Sequence, residues 1–188
     1  MRMASDMVPA ASGGTAIYPL APLTVSLWRM LHPLRQRMPL SGEGARLYGG
    51  RWNMKGWPAL YFATDAATAV AEYYQGLPKP GMLVPYRLEA NLIADLTDAA
   101  GLPVDHHVAA AMSSEWKRIA LLEGQVPPSW DIAQRLIAAG AHGALVPSAQ
   151  NSGGRNLVVW RWQDAAGPPA ETRGAARLTV VDPERALS

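Results

Sequence analysis

Short strand-prone and helix-prone segments follow one another along this chain without a regular β-α-β rhythm, and that irregular order limits the fold more than any other feature. A steady alternation would call for a doubly wound parallel sheet; the order found here favours an α+β domain. Thr24 to Met30 (Thr-Val-Ser-Leu-Trp-Arg-Met) is partly alternating and β-prone, and predicts a first strand with Arg29 inside it. Residues 39–57 contain Gly42, Gly44, Gly49, Gly50 and Gly56 and read as an extended loop. Pro58 to Ala63 is a short strand candidate. Thr64 or Asp65 can then cap a helix on which Ala66, Ala69, Val70 and Tyr73 form the buried stripe, with Glu72 on its flank and Pro78 and Pro80 ending it. Met82 to Leu92 predicts a strand in which Pro85 favours an edge or a bulge. Residues 105–123 read as helical, and a further helix runs from Ser129 to a C′ glycine at Gly140. Strands are expected over Gly143 to Pro147, Asn156 to Trp162 and Arg177 to Val181, with a loop over 164–176.

Length and composition narrow the class. At 188 residues, 49% hydrophobic and 17% charged, the chain suits one globular domain with an ordinary core. We expect a loosely held, flexible N-terminal arm over residues 1–22, rich in Ala, Gly, Pro and Ser, and one catalytic domain over 23–188. The absence of Cys excludes a disulfide framework, a thiolate zinc site and a cysteine nucleophile. A net charge of +2, from 17 basic and 15 acidic residues, implies no broad cationic face and no nucleic-acid partner. No apolar run approaches the roughly 18 residues a membrane helix needs. Pro9, Pro19 and Pro22 interrupt any secretion signal, so a cytoplasmic protein is expected. The four histidines, His32, His106, His107 and His142, lack metal-ligand spacing, and no metal is expected.

The segment Gly44-Ala45-Arg46-Leu47-Tyr48-Gly49-Gly50-Arg51-Trp52-Asn53 stands out. It has P-loop glycine spacing but lacks the Lys-Ser/Thr that would follow. Its plain structural reading is a glycine turn with Trp52 plugging the core beside it. Its functional reading is a donor-rich loop, in which Arg46, Arg51 and Asn53 stand among glycines that admit a ligand close to the backbone. Guanidinium forks match phosphate oxygens two at a time. Arg29, Glu72, Ser148 and Tyr61 each have an ordinary reading as well: an outward strand residue, a solvated carboxylate, a turn former and a core aromatic. Their value lies in occurring together in one order.

That order resembles the RES-domain family, named for an Arg, a Glu and a Ser. The matching pieces are Trp28-Arg29, then Gly49-Gly50-Arg51-Trp52-Asn53, then Gly56-x-Pro58-Ala59-Leu60-Tyr61-Phe62-Ala63. Ala69-x-x-Glu72, Val146-Pro147-Ser148-Ala149 and Asn156-Leu157-Val158 complete the series, which runs from about residue 25 to about residue 162. Ser148 fits the serine position best, and Ser152 is the alternative.

The resemblance implies a single α+β domain with a split β core and flanking helices, similar to the ADP-ribosyltransferases. It implies a toxin of a bacterial type II toxin–antitoxin pair, held inactive by a helical Xre-like antitoxin. It also implies NAD+ as substrate, cleaved at its nicotinamide–ribose bond, with ADP-ribose passed to phosphate or water as in a NAD+ phosphorylase or glycohydrolase. The alternative within the resemblance is ADP-ribosylation of a specific protein. A non-catalytic nucleotide-binding module is a third reading, against which Glu72 counts, since a carboxylate repels an anionic ligand unless the chemistry uses it. In the enzymatic reading Glu72, Arg29 and Ser148 are catalytic. Glu72 faces the sugar as it turns cationic, and Arg29 and Arg51 hold the diphosphate. Tyr61 packs against nicotinamide or ribose, with Tyr48 as a second aromatic. Ser148 bonds to the ribose or carboxamide end. Arg46, Lys55 and Arg155 are spare cations for the acceptor, and Trp116, Trp130, the arm and the tail after residue 163 are candidate antitoxin contacts.

Overall fold

The computed structural model describes residues 17–164 and 174–182. The expected N-terminal arm and the tail after residue 163 lie largely outside the described residues. The strands are β1 (Leu20–Leu31), β2 (Leu60–Ala63), β3 (Met82–Asp95), β4 (Gly143–Pro147), β5 (Arg155–Val159), β6 (Trp162–Asp164) and β7 (Ala176–Val180). The helices are α1 (Glu43–Tyr48), α2 (Ala66–Tyr74), α3 (His106–Ser113), α4 (Trp116–Leu121) and α5 (Pro128–Ala138).

These strands form one sheet in the order β1-β2-β5-β4-β3-β7-β6, and β1 also pairs with β3. That extra pairing decides the shape. β1 runs antiparallel to β3 from Leu20↔Ala94 to Leu31↔Met82, yet meets β2 only at Trp28↔Ala63. The core is therefore split between β1 and β2. With helices flanking the sheet, this is the α+β architecture expected. β4 is buried at all of its positions, and Leu157, Val158 and Val159 of β5 are fully buried. A strand covered on both faces reads as a continuous apolar run rather than an alternation. Leu145, Leu157 and Val159 join Leu27, Leu60, Phe62, Tyr86, Leu88 and Leu178 in one cluster. Val146 and Val158 join Val108, Ile132, Leu136, Ile137 and Trp160 in another, beneath α3 and α5. Each aliphatic side chain so buried contributes about 1.5–3 kcal/mol relative to exposure.

Several boundaries differ from expectation, each for a local reason. β1 begins at Leu20, inside the span assigned to the arm, because β3 offers a ladder out to Ala94. The 39–57 loop contains a short helix, α1, with a salt bridge from Arg46 back to Glu43. α2 stops at Tyr74, before the prolines, because Gln75 turns left-handed at φ 45° and Gly76 follows at φ 80°. β3 is central rather than an edge, and Pro85 is tolerated because the β7 ladder begins one residue later, at Tyr86. The 105–123 helix is two helices, separated where Ser114 becomes extended. The expected Asn156–Trp162 strand breaks at Trp160 and Arg161, both of whose amides bond to the His142 carbonyl. Gly140 closes α5 at φ 92°, as expected.

The inward face of α2 also differs from the predicted stripe. Thr68 and Ala69 are buried while Val70 is 36% exposed. Glu72 follows Thr68 by four residues, so it lies on the covered face rather than on a flank. Asp65 caps the helix: its Oδ1 accepts from the Thr68 amide at 2.8 Å and its Oδ2 from the Thr68 hydroxyl at 2.7 Å. Replacing Asp65 by Ala should lower stability by about 1 kcal/mol, measured as a lower urea midpoint with an unchanged slope.

A second stability prediction concerns His142, which is 3% exposed and has no hydrogen-bond partner on either ring nitrogen among the described residues. Burial, and secondarily the Arg161 charge, push its pKa below the ordinary 6.5. The folded chain thus refuses a proton that the unfolded chain accepts, so the folded state weakens as pH falls below about 6.5. Thermal unfolding scanned from pH 7.5 to 5 should show a fall in Tm that is smaller in His142→Leu than in the native protein. Equal falls in both would contradict this account.

Candidate active site

The gap between β1 and β2 opens into a cleft of about 920 Å³ lined by parts of both strands, the Gly49–Arg51 loop, α2, α4 and the turn after β4. The residues are brought there by register. Trp28 of β1 faces Ala63 of β2, Ala63 faces Asn156 of β5, and Asn156 faces Val146 of β4. This row carries the chain from the splayed strand to the end of β4, where Ser148 follows. Ser148 Oγ accepts from the Gln150 and Asn151 amides at 3.2 and 3.0 Å, which folds the following residues into a tight turn. Asn151 Nδ2 in turn donates to Thr68 Oγ1 at 2.7 Å and ties that turn to α2.

Glu72 is the meeting point. Its Oε1 accepts from Ser148 Oγ at 2.7 Å, from Asn156 Nδ2 at 2.7 Å and from the Ala149 amide at 3.0 Å. Its Oε2 has no hydrogen-bond partner among the described residues and is available to the cleft. Of the two candidate serines, Ser148 donates to the carboxylate, and Ser152 is exposed.

Arg51 and Arg29 both line the same cleft. Arg51 Nη1 donates to the Ala111 and Ser114 carbonyls at 2.9 and 3.1 Å, which braces the end of α3. Its Nη2 and Nε are unengaged among the described residues. Burial lowers its pKa, and the charge of Glu72 partly restores it. Arg29 Nη1 donates to the Pro39 carbonyl at 3.1 Å, and the guanidinium lies 5.8 Å from the Phe62 ring centroid. Burial lowers its pKa as well; Tyr86 opposes that shift and the Arg35 charge adds to it. A guanidinium keeps its proton throughout. Two half-buried cations without a paired carboxylate among the described residues therefore face one cavity.

Tyr61 lines the cleft, but its hydroxyl has a structural task. It accepts from the Trp52 amide at 3.1 Å and donates to Asn53 Oδ1 at 2.7 Å, and burial raises its pKa. Asn53 is 1% exposed, and its Nδ2 lies within hydrogen-bond distance of the Ala45, Met54 and Trp57 carbonyls. It is thus a clamp inside the loop and not a ligand donor. Trp52, at 2% exposed, plugs the core as the plain reading of the loop supposed. Tyr48 is 71% exposed at the end of α1 and is not among the cleft-lining residues. Arg46 is paired with Glu43, Arg155 donates to the Asp98 and Ala99 carbonyls, and Lys55 is exposed; none of the three lines the cleft. Trp130 is 8% exposed and belongs to the interior, where its Nε1 holds the Gly50 carbonyl at 2.9 Å. Asn156 and the Ala149 amide were not singled out as site groups from sequence. The available signal for Asn156 was a polar residue opening an otherwise apolar strand.

Comparison with known proteins agrees with the motif series. A family model described as the RES domain matches residues 26–180. "Toxin Res" from Photorhabdus laumondii subsp. laumondii is 32% identical over 113 residues, which is 55% of this chain and 72% of that protein. The "Prs ADP-ribosylating toxin" from a Sphingobium species is 31% identical over 118 residues, 53% of this chain and 73% of that protein. Among solved structures, the M. tuberculosis MbcT–MbcA toxin–antitoxin complex is similar at a TM-score of 0.48 and 24% identity, over 85% of this chain and 83% of that one. The family match takes in β1, the arginine loop, the helix bearing Glu72 and the turn bearing Ser148, and the chain belongs to the RES domain family.

Proposed function

We propose that this protein is a toxin of a bacterial toxin–antitoxin pair that binds NAD+ in the β1–β2 cleft and breaks its nicotinamide–ribose bond. The observation that carries the reading is the Glu72 carboxylate, fixed through one oxygen by three donors, with the other oxygen open to a cleft that also holds Arg29 and Arg51. Nicotinamide in NAD+ is already a cationic leaving group. As its bond to C1′ stretches, the electron pair goes to the pyridine ring, which departs neutral, and positive charge grows on the ribose. A fixed carboxylate attracts that charge more in the transition state than in the ground state, which is the condition for acceleration. Arg29 and Arg51 hold the diphosphate, and the Tyr61 ring forms part of the wall. Ser148 acts through the carboxylate it bonds to, and it is the ribose or carboxamide contact if its hydroxyl turns to the ligand.

The acceptor completes the reaction. An oxygen of phosphate or water bonds to C1′ as nicotinamide leaves, and water then loses a proton; the products are ADP-ribose phosphate or ADP-ribose. The name of the Sphingobium relative supports a second reading, transfer to a protein side chain. A chain that destroys NAD+ needs a neutralising partner, for which a helical Xre-like antitoxin is proposed, and a cytoplasmic site of action follows from where NAD+ is abundant. No helix among the described residues is long and apolar enough to cross a membrane.

Purified protein incubated with labelled NAD+, phosphate and cell extract distinguishes these outcomes by where the label appears. We expect Glu72→Gln, which keeps the shape of the side chain and removes its charge, to lower turnover by on the order of a hundredfold or more with Tm nearly unchanged. Undiminished NAD+ loss in Glu72→Gln would end the electrostatic reading, and intact NAD+ with native protein would end the enzymatic one.

A further inference from the structure

α4, like α1, has no buried residue, and its last residue, Leu121, and its C-cap, Leu122, are 61% and 81% exposed. Its first residue, Trp116, is half-buried yet belongs to neither hydrophobic cluster, although smaller side chains such as Ala45 and Met112 pack against the one nearby. Trp116 lines the cleft instead.

Its position is nonetheless well defined. The indole ring leans on Trp130, with centroids 6.4 Å apart and planes tilted by 46°, and Trp130 in turn holds the Gly50 carbonyl. Two residues before Trp116, the Ser114 carbonyl accepts from Arg51 Nη1. The same arginine that has two free nitrogens toward the cleft thus anchors the approach to the indole. Lys117 Nζ lies 5.7 Å from the Trp116 ring centroid on the electron-rich system. A large planar ring, backed by another and left out of the core beside a guanidinium, is the arrangement used to stack a heterocycle attached to a phosphate.

We propose that Trp116 is the stacking face for one heterocycle of the dinucleotide, and that it sets affinity at the end of the cleft beyond Arg51. The proposal rests on the NAD+ reading above. Adenine and nicotinamide share the required flat, π-rich chemistry, and the experiment separates them.

The test is calorimetric binding of AMP and of nicotinamide, separately, to the full-length native protein, Trp116→Ala and Trp116→Phe, with NAD+ turnover measured in parallel. The expected result is about tenfold weaker binding of one of the two ligands to Trp116→Ala, with most of it recovered in Trp116→Phe. The ligand affected identifies the stacked ring. In turnover the loss should appear in KM for NAD+ rather than in kcat. Equal affinities of native protein and Trp116→Ala for both ligands would overturn the assignment, as would a loss that Trp116→Phe does not repair. A native protein that binds either ligand through Trp116 but leaves NAD+ intact would sink the enzymatic reading and spare this one. Turnover with affinities unmoved by Trp116→Ala would do the reverse.

Discussion

The Glu72 carboxylate oxygen that takes hydrogen bonds from Ser148, Ala149 and Asn156 ties α2 to a stretch of chain distant from it in sequence. α2 reaches it from one side, the turn after β4 from the second and the start of β5 from the third. A buried or half-buried carboxylate needs such donors, since an unsatisfied charge away from water costs several kcal/mol. The need acts in both directions. The carboxylate holds the 148–151 turn in place, and that turn is held independently by Asn151 on Thr68 and Thr68 on the Asp65 cap. The helix cap and the site geometry are thus one hydrogen-bonded chain, running from Asp65 to Asn151, with Ser148 three residues away returning it to Glu72.

The Gly49–Asn53 loop is built by a different economy of contacts. Gly49 sits at φ 72°, a left-handed conformation that glycine adopts without strain. A Cβ on Gly50 would stand 2.5 Å from Tyr61 Oη and 2.6 Å from Asn53 Oδ1, so the second glycine is required by close approach. Trp160 Nε1 holds the Trp52 carbonyl at 2.9 Å, Trp130 holds Gly50, and Tyr61 holds the Trp52 amide. With its neighbours on either side fixed, Arg51 projects from the loop to the end of α3 and the cleft. A rigid loop lowers the entropy lost when the guanidinium is placed against a ligand.

Much of this was legible in the residues, and the failures have physical causes. The strands and helices that bury one continuous apolar run, such as β4, matched their expected spans because nothing else suits such a segment. The resemblance to the RES-domain motif series pointed to Arg29, Arg51, Tyr61, Glu72 and Ser148, all of which the structure places at the cleft or on its carboxylate. What spacing could not convey was the difference between a side chain that faces a ligand and one that fastens the loop beside it. Asn53 and Arg51 are two residues apart with similar donors, and only tertiary partners separate the amide clamped inside the loop from the guanidinium that braces α3 through Nη1 and lines the cleft. Tyr48 illustrates the same point: a six-residue helix, invisible amid the glycines, carries it to the surface. The stripe of α2 was misplaced because Thr68 counted as polar, whereas Asp65 and Asn151 satisfy its hydroxyl and let it face inward.

The character of the donors to Glu72 matters as much as their number. An amide, a hydroxyl and a carboxamide are neutral, so they fix the carboxylate in place without cancelling its charge. Burial lowers the Arg51 pKa and the Glu72 charge opposes that shift, but the two make no ion pair among the described residues. Had the guanidinium closed onto the carboxylate, the pair would present little net field to a cation forming nearby, because opposite unit charges in contact cancel at short range. In the proposed reaction, that separation leaves the carboxylate for the sugar and the guanidinium for the diphosphate. The split between β1 and β2 opens the cavity that Arg29, Arg51 and Glu72 all line. A sheet closed along the whole β1–β2 edge would have brought the strands to about 4.8 Å and left no cavity between them.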